Sequence, residues 1–267
     1  MTRIGCMFAD LKQRGVKGLI AYLTAGDPSP DRTPDLVDAL VRGGADLIEL
    51  GVPFSDPIAD GPVIQRAGQR ALKAGTTLGG VLDIAARIRE RSQVPLLLFT
   101  YLNPVVRYGL ERLAEDAARS GIDGCLLTDA SVEEAHEYVG AMHRHGLDTV
   151  FLAAPTSTAR RLKLVAHYST GFVYLVSRTG VTGERESLSD TVSPLVRAMR
   201  AVTDLPLAVG FGISKPEHVA EVGRQVEAVV VGSALVRLIE RNLDNASLEL
   251  QLESFVRELK HGFGALA

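Results

Sequence analysis

The chain is poor in cysteine and has no large excess of charge of either sign. Cys6 and Cys125 are too few for a disulfide framework, and they lack the spacing of a metal site. We therefore expect a reduced intracellular protein in which both cysteines are small buried hydrophobes. With 29 basic and 32 acidic residues, the formal net charge is -3. This balance excludes the strongly basic surface that is typical of nucleic-acid binding.

Long uninterrupted apolar runs are also missing. The N-terminal segment, MTRIGCMFADLKQRG, places charged side chains where a secretory signal needs an apolar stretch. Elsewhere, charges or glycines interrupt every stretch that approaches the length of a membrane span. We therefore expect a cytoplasmic protein.

Short apolar runs alternate with amphipathic stretches from one end of the sequence to the other. The runs are almost wholly apolar, as is typical of parallel strands covered on both faces. They predict strands over residues 18–24, 46–51, 94–101, 124–128, 149–153, 172–177, 206–210 and 228–231. Stretches of helical period lie between them, for example at residues 36–42, 78–91, 132–145 and 188–202. Eight β-then-α units predict an α/β fold, a single (β/α)8 TIM barrel domain over residues 1–267.

Two further helices are expected at the ends of this repeat. Residues 3–14 predict an extra helix over the N-terminal mouth of the barrel, and residues 246–261 predict a final amphipathic helix. The apolar stripe of the final helix indicates core packing and consists of Leu248, Leu252, Phe255 and Leu259. The alternative topology, an open doubly wound sheet, usually has a glycine-rich turn after its first strand. Residues 23–28 read Leu-Thr-Ala-Gly-Asp-Pro, which is not a dinucleotide fingerprint.

Glu49 is the most unusual residue of the predicted strands. Side chains alternate along residues 46–51, so Glu49 faces the barrel axis while Ile48 and Leu50 face the helices. A buried carboxylate costs several kcal/mol of desolvation unless another group compensates it. No predicted strand carries an arginine that faces it. We therefore interpret Glu49 as a functional residue and not as half of a buried ion pair.

The loop that follows this strand carries a second acidic candidate. Residues 52–62 contain three prolines, two acids and a glycine, an unusual composition for a simple connection. We interpret Asp56 as a turn-forming residue and expect Asp60 to fold back over the barrel mouth toward Glu49. Two carboxylates that converge on one pocket suit acid–base chemistry in which one is protonated and the other ionised.

Glycines after the last strands predict a phosphate site. Residues 210–214 follow the seventh strand, and residues 231–233 lead from the eighth strand into a helix. Glycines allow a ligand to approach backbone N–H groups, and a helix N-terminus favours an anion. Loops at these positions commonly bind phosphate in this fold. Residues 178–186 are polar and glycine-rich, so we expect them to form a lid.

No lysine or histidine lies at the C-terminal end of a predicted strand. Lys215 comes nearest, but it begins the helix after the seventh strand. His143 and His145 are two residues apart, so on a helix they point away from each other. These observations argue against imine-forming and metal-dependent aldolases. They favour acid–base chemistry without a cofactor.

Several segments resemble one known family. Residues 48–61, Ile-Glu-Leu-Gly-Val-Pro-Phe-Ser-Asp-Pro-Ile-Ala-Asp-Gly, closely resemble the signature of the tryptophan synthase alpha subunit. Further matches lie at residues 23–28, 101–104, 177–183 and 210–214. The resemblance covers essentially the whole chain, and its longest motif is highly specific.

The resemblance implies a carbon–carbon lyase that cleaves indole-3-glycerol phosphate into indole and D-glyceraldehyde 3-phosphate by a retro-aldol reaction. It assigns Glu49 as the general acid–base residue and Asp60 as the group that stabilises charge at the indole nitrogen. The implied substrate-binding residues are Tyr22, Tyr101, Tyr174, Thr182 and Phe211. The implied phosphate-binding residues are Gly183, Gly212, Gly232 and Ser233. No metal and no cofactor are expected in this chain, since pyridoxal phosphate belongs to the partner beta subunit of an alpha2beta2 heterotetramer.

Two departures and three alternatives accompany this interpretation. Residues 129–132 lack the proline usual in the family's partner-facing loop. Leu102 stands where smaller or aromatic residues are common, which predicts a slightly reshaped indole pocket.

One alternative is a stand-alone indole-3-glycerol phosphate lyase that releases free indole. Another is a non-catalytic activator of a beta subunit, although both carboxylates are present. The third is a different phosphate-binding barrel, such as an isomerase of the same pathway.

Overall fold

Eight parallel strands close into a barrel in the order of the chain. The structure is a computed structural model that describes residues 2–176, 188–210 and 212–266. The strands are β1 (Gly18–Thr24), β2 (Leu47–Gly51), β3 (Leu96–Thr100), β4 (Gly124–Leu127), β5 (Asp148–Ala153), β6 (Val173–Val176), β7 (Leu207–Gly210) and β8 (Ala228–Val231). Each strand pairs in parallel with its neighbours, and β8 pairs with β1. The predicted fold class is therefore confirmed.

Helices surround the barrel and connect its strands. They are α1 (Arg3–Arg14), α2 (Thr33–Gly43), α3 (Pro62–Lys73), α4 (Leu78–Arg89), α5 (Leu102–Tyr108), α6 (Leu110–Arg119), α7 (His136–Arg144), α8 (Ala159–Tyr168), α9 (Leu188–Arg200), α10 (Pro216–Gly223), α11 (Ser233–Arg241) and α12 (Leu248–His261). Short 3-10 turns cover Val132–Glu134 and Gly262–Leu266. Within the described ranges, no helix combines the length and apolar character needed to cross a bilayer.

Strand alternation divides the core into two layers. Side chains such as Leu47 and Leu97 point into the barrel, where they pack with Phe172. Their strand neighbours, such as Ile48 and Leu50, pack outward against the helices. Burying apolar surface on both faces of every strand supplies the main driving force for this closed sheet.

The two end helices pack as the sequence predicts. On α1, Ile4, Phe8 and Leu11 recur at helical spacing and close the bottom of the barrel against the interior cluster. The rings of Phe8 and Phe172 lie 5.7 Å apart. On α12, the buried face contains Leu248, Leu252, Val256 and Leu259, with Phe255 partly buried beside them.

Two sequence predictions need correction. Residues 132–145 are not one helix, because the 3-10 turn ends before α7 and Ala135 separates the two. Cys125 is buried in β4 as expected, but Cys6 is exposed, because it lies on the face of α1 opposite the barrel. The sequence analysis made no prediction for the segment after β3, which contains two helices, since Gly109 adopts a φ of 95° that ends α5 before α6 begins.

Candidate active site

Glu49 lies at the centre of the barrel with almost no contact with solvent. It is the third residue of β2, and only 1% of its surface is exposed. Its Oε1 atom has no hydrogen-bond partner. Burial therefore acts alone on the carboxyl group and raises its pKa from an ordinary value of 4.5 to about 8. At neutral pH this carboxyl group is mostly protonated.

Asp60 reaches the same cavity from the loop after β2. The backbone of this loop turns back on itself, with the Ile58 N–H donating to the Asp56 carbonyl and the Asp60 N–H donating to the Pro57 carbonyl, at 2.9 and 3.1 Å. Asp60 is only half-buried. Burial raises the pKa of its carboxyl group, while hydrogen bonding from the Tyr101 hydroxyl opposes that rise.

Tyr22 and Tyr174 enter the cavity from β1 and β6. Glycines on the neighbouring strands make room for their rings. A methyl group on Gly51 would lie within 2.8 Å of three Tyr22 atoms, and one on Gly210 would lie within 2.9 Å of three Tyr174 atoms. Burial raises the pKa of both phenols above their usual value of 10.0, and the nearby Glu49 adds to the rise. Both hydroxyls therefore stay protonated.

The cavity has a volume of about 490 Å³ and a chemically mixed lining. Glu49, Asp60 and the two tyrosines supply titratable side chains. Apolar side chains also line it and include Ile64, Phe99, Leu152 and Val230. A flat apolar ring system fits against such a lining, and the carboxyl groups lie within its reach.

Glycines and the start of a helix contribute backbone groups to the lining of the cavity. Gly212 has a φ of 69°, a conformation that favours glycine. Gly232 precedes α11. A methyl group at this position would make an ordinary van der Waals contact with the Tyr22 Cβ at 3.5 Å. Ser233 is the first residue of α11, where the first N–H groups have no acceptor within the helix. This arrangement suits an anion.

The structure brings most of the predicted residues together. The described residues that line the cavity include Tyr22, Glu49, Asp60, Tyr174, Gly212, Gly232 and Ser233. Tyr101 is not among them, because its hydroxyl accepts a hydrogen bond from the Ala59 N–H at 3.2 Å and lies against Asp60. Thr182, Gly183, Phe211 and the predicted lid at residues 178–186 lie outside the described residues.

Leu102 does not take the place that the sequence suggested. It begins α5, is 41% exposed, and is not one of the described cavity-lining residues. Its N–H donates to the Asp129 carboxylate at 2.7 Å. The side chain is therefore too exposed and too far outside the described lining to reshape the pocket in the way expected.

Sequence reasoning missed several cavity residues, among them two with aromatic or charged side chains that chain periodicity could have found. Phe99 faces inward two residues after Leu97 on β3 and meets the Tyr22 ring edge-on at 5.3 Å. Arg237 lies four residues after Ser233, on the same face of α11. Among the described residues, no group of three or more acidic, histidine or cysteine side chains could hold a metal ion.

Comparisons with known proteins agree with this geometry. The family model described as "Tryptophan synthase alpha chain" matches residues 8–263. The tryptophan synthase alpha chain of Solibacter usitatus is 80% identical over the full length of both chains. The crystal structure of tryptophan synthase subunit alpha from Legionella pneumophila superposes with a TM-score of 0.92 at 35% identity, covering 99% of each chain.

A structure of the tryptophan synthase α2β2 complex from Pyrococcus furiosus also contains a similar chain. The TM-score is 0.84 at 43% identity, over 91% of this chain and 98% of that one. The resemblance noted in the motifs is thereby confirmed along the whole sequence. The chain belongs to the tryptophan synthase alpha chain family.

Proposed function

We propose that this chain is a lyase that cleaves indole-3-glycerol phosphate into indole and D-glyceraldehyde 3-phosphate, with Glu49 and Asp60 as its catalytic residues. The observation that carries the proposal is the buried, unpartnered carboxyl group of Glu49 in the cavity, with its pKa near 8. A general acid is most effective when its pKa lies near the working pH.

Glu49 performs both proton transfers. Its neutral carboxyl group donates a proton to indole C3, which places positive charge on the ring and its nitrogen. The resulting carboxylate takes the proton of the glycerol hydroxyl next to the ring. As that oxygen becomes an aldehyde, the carbon–carbon bond breaks and its electron pair neutralises the ring. Glu49 ends the cycle protonated, as it began.

Asp60 stabilises the positive charge that forms at the indole nitrogen. An ionised carboxylate suits this role, whereas a neutral one suits Glu49. The difference in environment supports the assignment, since Asp60 is half-buried and hydrogen-bonded by Tyr101, while Glu49 is fully buried without a partner. Environments that drive two pKa values apart are a common way of dividing acid and base roles.

The remaining residues bind the two ends of the substrate. Tyr22 and Tyr174 contact the indole and glycerol parts. Gly212 after β7 binds the phosphate together with Gly232 and Ser233 at the start of α11. Tyr101 contributes by holding Asp60. Thr182 and Phe211 at the substrate, and Gly183 at the phosphate, complete the proposed set.

The indole passes to a tryptophan synthase beta subunit, which uses it in L-tryptophan synthesis. The similar chain in the Pyrococcus furiosus α2β2 complex supports this partnership and an alpha2beta2 heterotetramer. Pyridoxal phosphate would be held by that beta subunit, and the alpha reaction proposed here uses none. A biosynthetic enzyme of this kind works in the cytoplasm.

Residues 1–267 form one domain in this proposal. Both end helices attach to the same barrel. The α1 helix packs into the barrel interior. The α12 helix lies so close to α2 that a methyl group on Gly43 would meet Val256 at 2.7 Å. Arg42 and Glu253 join the same two helices at 2.9 Å.

The test is indole release from indole-3-glycerol phosphate by the purified chain, alone and with a beta subunit. Weak release that rises sharply with the beta subunit supports a synthase subunit. Rapid release at the same rate with and without the beta subunit identifies a stand-alone lyase. Absence of indole under both conditions contradicts the proposed reaction.

A further inference from the structure

Arg237 is an exposed residue in the second turn of α11 and lines the cavity. It lies one helical turn after Ser233, so both residues share the face of α11 that borders the cavity. Gly212, Ser214 and Gly232 also line the cavity. Among the described residues that line it, Arg237 carries the one basic side chain.

We propose that Arg237 binds the phosphate group of the substrate and supplies its counter-charge. The proposal rests on the proposed function, which places the phosphate at the start of α11. Backbone N–H groups there offer directional hydrogen bonds but only partial charge. A guanidinium group adds a full positive charge and a planar set of donors that matches phosphate oxygens.

The charge balance of the cavity calls for such a group. Asp60 lines the same cavity, and a phosphate monoester brings close to two negative charges near neutral pH. Asp60 has to be ionised for its role, so it repels the phosphate. A cation near the start of α11 offsets this repulsion and orients the substrate, with its ring toward the carboxyl groups.

Arg237 is also available for this role, because its nearest acidic neighbour along α11 is already paired with two other arginines. Glu240 lies one turn further on and could pair with Arg237 across the helix surface. Instead, Arg66 contacts both Glu240 carboxylate oxygens at 2.6 and 2.8 Å, and Arg70 contacts one at 2.9 Å. These two arginines lie on α3 and hold the pKa of Glu240 at about 2.

The experiment compares Arg237→Gln, Arg237→Lys and Arg241→Gln. Arg241 lies on the same helix, is exposed, and is not among the described residues that line the cavity. Arg241→Gln is therefore the control, because it removes the same positive charge outside the cavity. Calorimetry measures the binding of inorganic phosphate to each full-length chain. Steady-state kinetics measure KM and kcat for indole-3-glycerol phosphate. Inhibition by indole, which carries no phosphate, tests whether the binding of the indole ring is intact.

Arg237→Gln is expected to weaken phosphate binding and raise KM about tenfold, as the loss of a hydrogen bond to a charged group predicts. The loss should fall on KM more than on kcat, and indole inhibition should not change. Arg237→Lys keeps the charge without the planar donors, so its loss should be about threefold. Arg241→Gln should bind phosphate as the unaltered chain does.

Unchanged phosphate affinity in Arg237→Gln would overturn the proposal, as would an equal loss in Arg241→Gln or a parallel loss of indole inhibition. Phosphate binding needs no turnover, which separates this inference from the proposed function. A chain that binds phosphate through Arg237 but releases no indole contradicts the proposed reaction alone.

Discussion

Tyr22 and Glu49 lie directly opposite each other on β1 and β2, and both side chains line the cavity. The Tyr22 hydroxyl is 3.3 Å from the Thr24 hydroxyl, whereas the Glu49 Oε1 has no partner. Glu49 therefore has the neutral phenol of Tyr22 as its neighbour on β1. A basic side chain at this position would have kept the Glu49 carboxyl group ionised. This pairing explains why burial alone sets the pKa of the carboxyl group.

The raised pKa of Glu49 predicts that the protein loses stability as the pH rises. The folded state binds the Glu49 proton up to about pH 8, while the unfolded chain releases it near its ordinary value of 4.5. Between these values the folded state holds more protons. The free energy of unfolding therefore falls with pH, with a limiting slope of about 1.4 kcal/mol per pH unit from this group.

Glu49→Gln should remove this dependence, because glutamine does not titrate. Urea unfolding of both proteins between pH 5 and pH 9 measures the difference. We expect the variant to gain stability relative to the unaltered chain as the pH rises toward 8, with no further gain above it. A difference that stays constant with pH would show that Glu49 has an ordinary pKa in the folded state.

Gly51→Ala should destabilise the protein by about 1–3 kcal/mol, because the new methyl group collides with the Tyr22 ring. Tyr22→Leu in the same chain removes the ring, so the double variant should lose less stability than the sum of the two single variants.

Gly68→Ala is the control, since no atom lies within 4 Å of the position that its new methyl group would take. In α3 it should raise stability by about 0.5–1 kcal/mol. Purely additive losses at Gly51 and Tyr22 would rule out the collision.

Arg70→Gln should destabilise the protein by about 3 kcal/mol, because it leaves a buried carboxylate unpaired. Arg70 contacts both oxygens of Asp27 at 2.7 and 2.8 Å, and Asp27 is only 1% exposed. Asp27→Asn in the same chain should restore part of the loss. Arg87→Gln is the matched control, since its partner Asp31 is 92% exposed and the pair contributes about 0.5 kcal/mol or less. Urea unfolding should separate the two arginines clearly, and similar losses would refute the difference in burial.

Tyr101→Phe should shift the acid limb of the pH–rate profile to higher pH. The Tyr101 hydroxyl holds down the pKa of Asp60, so its removal lets that pKa rise further. Positioning of the loop is weakened as well, because the Ala59 N–H loses its acceptor. We expect kcat/KM to fall about three- to tenfold.

Tyr108→Phe provides the control for this change. Tyr108 donates to Asp116 at 2.7 Å, but neither residue is among the described residues that line the cavity. Its pH–rate profile should match that of the unaltered chain. If Tyr101→Phe also leaves the acid limb in place, Tyr101 does not set the protonation of Asp60.

Local patterns were enough to predict the barrel. Every strand was predicted to within two residues, because strands buried on both faces appear as continuous apolar runs. Alternation along β2 likewise gave the direction of Glu49. The break at Ala135 was missed, because a 3-10 turn and an α-helix bury apolar residues at similar spacing.

Relationships between distant segments could not be predicted in this way. The availability of Arg237 depends on arginines of α3 that occupy Glu240, and this pairing spans more than 160 residues of sequence. The contact of Tyr101 with Ala59 similarly depends on how the loop after β2 folds back onto β3. Such contacts are set by the packing of whole elements, which local spacing does not encode.

The most direct test of the central claim is the rate of indole formation by Glu49→Gln at saturating indole-3-glycerol phosphate, with substrate binding measured in parallel. Glutamine keeps the shape of the side chain and removes its transferable proton. We predict that kcat falls at least about a hundredfold while the dissociation constant stays within about threefold. A kcat within about tenfold of the unaltered chain would contradict the role of Glu49 as the general acid–base residue.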